Sequence, residues 1–229
     1  MQNSMKLLTF AMVAAVLIVV AGMNSRAKPS SGANAEFPRP AVDQPTSPTR
    51  GKEVAVISGG CFWGIQAVYE HTKGVISATS GYAGGTADTA SYETVSSGQT
   101  GHAESVKIVY DPSEITYGQV LMVFFSVAHN PTELNKQGPD WGTQYRSSIF
   151  YTSPEQKKVA EAYIKQLDAA KVYPSKIVTQ VVALNAFYPA EKYHQDYLKH
   201  NPNNPYIVIN DLPKLQNLKK EFPELYREY

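Results

Sequence analysis

The chain has 229 residues and a formal charge of +1, so no broad electrostatic field favours nucleic acid or an acidic partner. At 43% hydrophobic and 18% charged residues it has the make-up of a globular protein with one good core or two small ones. A single cysteine, Cys61, excludes an intramolecular disulfide and any multi-cysteine zinc site, and leaves no second thiol to resolve Cys61 once oxidised.

Residues 1–23 read as a targeting segment. Lys6 supplies a positive charge, and residues 7–23 are uncharged and almost wholly apolar. That length falls between a signal-peptide core and a membrane span of about 20 residues, so a cleaved signal peptide and a signal anchor both stay open. Either predicts an exported, extracytoplasmic protein whose N-terminal segment meets the membrane during export or as an anchor. Residues 24–51 carry five of the fifteen prolines among Ser, Ala, Asn, Gln and Thr, the composition of a disordered linker. A single catalytic domain is expected over residues 52–229, where all the tyrosines and tryptophans lie.

Residues 53–58 form a short apolar strand, and residues 62–71 a helix that ends near Gly74. Between them stands Gly59-Gly60-Cys61-Phe62-Trp63-Gly64. A cysteine at a strand-to-helix junction meets free backbone N–H groups and the positive end of the helix dipole, which favour the thiolate. The glycines allow a sharp turn and leave room for a substrate. The alternative is a buried small hydrophobe, although two glycines before and two aromatic rings after it are an odd way to fill a core.

A strand over 75–80 leads into a long loop to Gly101, rich in Gly, Ser, Thr and Ala and holding Tyr92; such loops tend to be functional. The run 102–110 alternates as a strand, with Glu104 on the same face as Val106 and Ile108. A carboxyl on a core face is desolvated and becomes a proton donor near neutral pH. A glutamate at a strand end that reaches water is the other reading.

Asp111-Pro112 closes the strand, and Ser113 or Thr116 caps a helix over 117–129. A second long loop, 131–145, contains Asp140 and Tyr145. A strand over 148–151, a helix from Pro154 to about 171, a strand over 177–182, a short helix over 191–200 and a charged helical stretch from Leu215 complete the chain. Strands and helices mix without regular alternation, so the fold class is α+β, one sheet with helices packed on it. His129 and His194 are too scattered for a metal site and read as hydrogen-bonded structural histidines.

Gly60-Cys61-Phe62-Trp63-Gly64 resembles the signature of the type A peptide methionine sulfoxide reductases. Further blocks match in order: Gly81-Tyr82-Ala83-Gly84-Gly85, Gly101-His102-Ala103-Glu104, Tyr110-Asp111-Pro112, Gly142-Thr143-Gln144-Tyr145-Arg146-Ser147 and Ala190-Glu191-Lys192-Tyr193-His194-Gln195. The resemblance covers residues 53–200. It implies a two-layer α/β sandwich with a single mixed sheet, and reduction of the S epimer of methionine sulfoxide, free or in proteins. It makes Cys61 the nucleophile, passing through a sulfenic acid, and Glu104 the proton donor to the sulfoxide oxygen. It also makes Tyr92 and Tyr145 the hydroxyls that hold that oxygen, with Asp140 nearby and Phe62 and Trp63 around the S-methyl group. No metal or bound cofactor is implied. The chain departs from the family at Asn130, where aspartate is common, and in lacking the resolving cysteine that many relatives carry. An external dithiol, thioredoxin or a thioredoxin-like protein, must then regenerate Cys61. A monomer acting on oxidised proteins is expected.

Two other classes compete. A Cys-His acyl transferase or hydrolase would use His102 to activate Cys61 and Glu104 to orient it. A non-catalytic module would grip methionine-like ligands between Phe62 and Trp63.

Overall fold

The computed structural model describes residues 36–228. The expected targeting segment and the first part of the linker lie outside them. Strand β1 (Glu53–Ser58) forms where the apolar run predicts it, with Ala55 and Ile57 in the main core and Val56 on the opposite face against Phe150. Helix α1 (Phe62–Glu70) follows Cys61 and buries Ile65, Val68 and Tyr69. Strand β2 (Val75–Ala83) runs past the expected end, because it keeps pairing with β3 (Ala103–Tyr110) as far as Ala83 opposite Ala103. The long loop between them holds a 3-10 turn at Ala87–Thr89 and a one-turn helix, α2 (Tyr92–Val95).

Helix α3 (Tyr117–Val123) is opened by Thr116, not Ser113: Thr116 and Gln119 bond each other's backbone N–H in a capping box. A wider π-type turn, Phe124–Ala128, carries the helix on. The second long loop contains a small hairpin of β4 (Lys136–Gln137) and β5 (Asp140–Trp141). Strand β6 (Ser148–Tyr151) precedes α4 (Pro154–Ala169), where Ser153 caps and Pro154 opens the first turn. Strand β7 (Gln180–Ala183) starts later than expected, because the Ile177 and Val178 N–H groups bond Asp168 and Pro131 instead of a neighbouring strand.

A short β8 (Phe187–Pro189), unforeseen in sequence, pairs with β2. The expected helix over 191–200 is broken at Asp196, whose φ of 54° is left-handed, leaving a turn and then α5 (Tyr197–His200). A π-type turn, Ile207–Asp211, runs into α6 (Leu212–Glu221), so the tail is helical earlier than the charged stretch suggests.

The six main strands form one mixed sheet in the order β7-β6-β1-β3-β2-β8, antiparallel except for β6 and β7. Apolar side chains of α1, α3 and α4 meet Ile57, Val106 and Ile108 in the main core, an α+β arrangement of helices on a sheet.

The linker requires a correction. Residues 36–51 are extended but docked, and the compact unit begins at Glu36. Pro38 and Arg39 present carbonyls to Tyr163 at 2.6 Å and Gln166 at 2.8 Å, and Asp43 accepts from the Gly118 N–H at 2.8 Å. Proline-rich chain stays extended and leaves its carbonyls unpaired, which suits it to side-chain donors on a folded surface.

Candidate active site

The end of β1 and the start of α1 place Cys61 at the mouth of the first helical turn, 8% exposed. Gly60 reaches it through a φ of +99°, and a Cβ there would stand 2.5 Å from Cγ of Gln137. The glycine makes the sharp turn that its position suggests and leaves room for the Gln137 side chain.

Glu104, near the start of β3, points to the core face with Val106 and Ile108, as the alternation predicts, and is 3% exposed. Its Oε2 accepts from the Phe62 N–H at 3.0 Å, so the carboxyl caps the same helix end that holds Cys61. Burial drives its pKa up to about 8, with Asp140 and Asp211 adding to the effect and the Phe62 N–H only partly opposing it. Glu104 is therefore a protonated acid at neutral pH.

The thiol does not behave as the helix end alone suggests. Burial pushes the Cys61 pKa well above that of an ordinary cysteine, and the fields of Glu104 and Asp211 push the same way. The Trp63 N–H and the Lys214 ammonium oppose them and lose. The resting group is a thiol, not the expected thiolate, because one turn of helix cannot offset full desolvation.

Tyr92 and Tyr145 arrive from the two long loops. Burial and then Glu104 raise the pKa of each phenol, and the Cys61 field reaches both, so Cys61, Glu104 and the two hydroxyls share one electrostatic site. Glu191 fixes Tyr92: its carboxylate accepts from the Tyr92 N–H at 2.9 Å and from the Tyr82 hydroxyl at 2.8 Å. Asp140, on β5, accepts from the Tyr206 hydroxyl at 2.5 Å, and burial raises its pKa.

The aromatic pair divides. Phe62 is buried between Tyr82 and His194, with ring centroids 5.9 and 5.1 Å away. Trp63 is half-buried, stacks on Tyr197 at 3.7 Å and donates its indole N–H to Nδ1 of His194 at 3.1 Å. Trp63 is thus the more accessible of the two rings, and both pack against His194.

His129 is buried and holds Phe124 O and the Ser147 hydroxyl, and burial takes its pKa down to about 3. His102 has no free ring nitrogen: Nδ1 accepts from the Gly85 N–H at 3.2 Å, and Nε2 donates to Thr86 O at 2.9 Å. It has no lone pair for Cys61, which removes the basis of the Cys-His reading. Asn130 accepts from the Thr132 N–H and hydroxyl, as an aspartate there would.

Sequence reasoning missed Tyr206, Asp211 and Lys214. The apolar run 206–209 marks their segment but gives no sign that it folds back on Cys61.

A buried thiol beside a protonated carboxyl, with phenol donors close by, suits attack on a polarised oxygen-bearing centre. The sequence matches the peptide methionine sulfoxide reductase family over residues 53–226. It is 61% identical over 187 residues to peptide methionine sulfoxide reductase MsrA 2 of Mesorhizobium japonicum, covering 82% of this chain and 95% of that protein. The MsrA 2 of Synechocystis is 52% identical over 190 residues, covering 82% and 89%. Among solved structures, reduced Mxr1 of Saccharomyces cerevisiae superposes with a TM-score of 0.60 at 32% identity, over 72% of this chain and 92% of that one. Methionine sulfoxide reductase A of Corynebacterium diphtheriae gives 0.59 at 33% identity, over 74% and 88%. The chain belongs to the peptide methionine sulfoxide reductase family, type A. It is an oxidoreductase that reduces methionine sulfoxide.

Proposed function

We propose that this chain reduces the S epimer of methionine sulfoxide through a sulfenic acid on Cys61, and that an external dithiol of the thioredoxin kind returns Cys61 to the thiol. The observation that carries the reading is Glu104, buried and protonated at the helix end that presents Cys61.

Cys61 attacks the sulfoxide sulfur, an S–S bond forming as the thiol S–H breaks, and its proton replaces the one that Glu104 donates. Glu104 gives its proton to the sulfoxide oxygen, which lets electron density leave through that oxygen. Tyr92 and Tyr145, both held protonated, donate hydrogen bonds to the oxygen. Trp63, with Phe62, takes the S-methyl group, and Asp140 with Tyr206 closes the polar side. The protonated oxygen then passes from the methionine sulfur to the Cys61 sulfur as the S–S bond breaks, which releases methionine and leaves a sulfenic acid on Cys61. Two thiols of the reductant then yield a disulfide and water and restore Cys61, since the chain has no second cysteine.

The apolar run 7–23 supports export, so the reductant is to be sought outside the cytoplasm.

Separate S and R epimers of a blocked methionine sulfoxide test the reading, with dithiothreitol as reductant. Turnover of the S epimer alone is expected, declining as pH rises through about 8 where Glu104 loses its proton. Glu104→Gln should lower kcat/KM by about 100-fold or more, the scale of a lost general acid. Equal use of both epimers, or full activity in Glu104→Gln, would overturn the scheme.

A further inference from the structure

Arg146 closes the turn that delivers Tyr145, and its half-buried side chain reaches the start of β3. Nη1 donates to His102 O at 3.1 Å and to Thr143 O at 2.9 Å, and Nη2 donates to Gly101 O at 2.9 Å. Gly84, just past β2, makes room for this head: a Cβ there would stand 2.7 Å from Nη2. The Arg146 main chain is held as well, since its carbonyl accepts from the Ser58 hydroxyl at 2.7 Å. One residue thus ties together the turn of Tyr145, a point two residues before Glu104 and a point three residues before Cys61.

The acceptors of the guanidinium are backbone carbonyls, so its desolvation is not offset by an ion pair. Its planar fork can instead hold two chain segments at a fixed separation, which a lysine cannot do. The same turn is bonded to the other tyrosine loop. Thr143 Oγ1 donates to Gly98 O at 2.8 Å and Gln144 Nε2 to Ser96 O at 3.2 Å, just past α2 and Tyr92. Those bonds set Tyr145 against Tyr92, and Arg146 sets it against the strand of Glu104.

We propose that Arg146 is a positioning residue for the reaction, its guanidinium joining the turn that carries Tyr145 to the strand that carries Glu104 so that phenol and acid meet the sulfoxide oxygen together. The inference rests on the sulfoxide-reduction reading above. Arg146 acts through Tyr145, since its own head is turned to backbone carbonyls. A donor aimed at developing charge is sensitive to placement, and a shift of about 1 Å can cost about 100-fold in rate. The loss falls on kcat, because the bond to the oxygen strengthens as that oxygen takes up electron density.

The test is a double-mutant cycle on reduction of the blocked S sulfoxide with dithiothreitol. Arg146→Lys keeps the charge and the stem but replaces the fork by a point donor. It should lower kcat by about 30-fold and leave KM within about twofold. In a Tyr145→Phe background the same change should cost less than about threefold more, because the hydroxyl it positions is already gone. Equal losses in the two backgrounds, a change in KM alone, or full activity in Arg146→Lys would overturn the inference. Hydrogen exchange read by mass spectrometry, with no sulfoxide present, is the second measurement. In Arg146→Lys, residues 84–104 and 143–147 should exchange faster together. A change confined to 143–147 also overturns the inference. If the parent itself leaves the sulfoxide unreduced, the earlier reading fails and the exchange result alone decides this one. Should Arg146→Lys fail to fold, Arg146→Gln, a shorter planar donor, takes its place in both measurements.

Discussion

Glu104 has an ordinary carboxyl pKa of 4.5 in the unfolded chain and about 8 in the folded one. Between those values the folded protein keeps a proton that the unfolded chain has released. Its stability therefore falls as pH rises from 4.5 to 8 and is unaffected by this group below 4.5. At pH 7 the cost is about 3 kcal/mol, since each unit of separation is about 1.4 kcal/mol. Glu104→Gln carries no charge and keeps a carbonyl for the Phe62 N–H. It is expected to be the more stable protein at pH 7 by up to about 3 kcal/mol, and equal to the parent at pH 4. Urea unfolding at the two pH values checks this; a variant no more stable at pH 7 contradicts the burial of an unpaired acid. The inward direction of Glu104 is legible from strand alternation alone. The protonation of Cys61 is not, because it depends first on burial, which the helix-end motif gives no sign of, and then on Glu104 and Asp211, which come from distant parts of the chain.

At the scale of elements, the N-terminal arm is part of the helix architecture. Asp43 accepts from the Gly118 N–H at 2.8 Å and from the Thr116 hydroxyl at 2.5 Å, adding a second cap to α3 beyond its own capping box. Asp43→Ala should cost about 1 kcal/mol, typical of a lost cap, and lower Tm by about 2–4 °C, with sulfoxide reduction unchanged. An unchanged Tm in a thermal melt would mean the arm is not anchored there. Sequence periodicity finds β1, α1, β3, α3 and α4 because each carries a clear apolar face. It misses β8, which is three residues long, and the break at Asp196, which a left-handed backbone imposes inside a helical pattern. It also reads residues 36–51 as free, because composition reports what cannot build a core and says nothing of what can dock on one.

For the whole molecule, the folded unit and the site are assembled from distant parts. Two loops bring Tyr92, Asp140 and Tyr145, the C-terminal segment brings Tyr206 and Asp211, and the arm from Glu36 braces α3 and α4. The family blocks make Cys61, Glu104 and the two tyrosines legible; the closure by residues 206–214 appears only when the chain is folded. A soluble protein for study should accordingly begin at Glu36, not Lys52. The central claim is that Cys61 takes the oxygen from the sulfoxide, and a single turnover without reductant tests it most directly. The protein from Glu36 is mixed with the S or the R epimer of a blocked methionine sulfoxide, quenched, and both products are weighed by mass spectrometry. The account predicts one equivalent of methionine from the S epimer only, with one added oxygen on Cys61. No methionine, with Cys61 still a thiol, would contradict it.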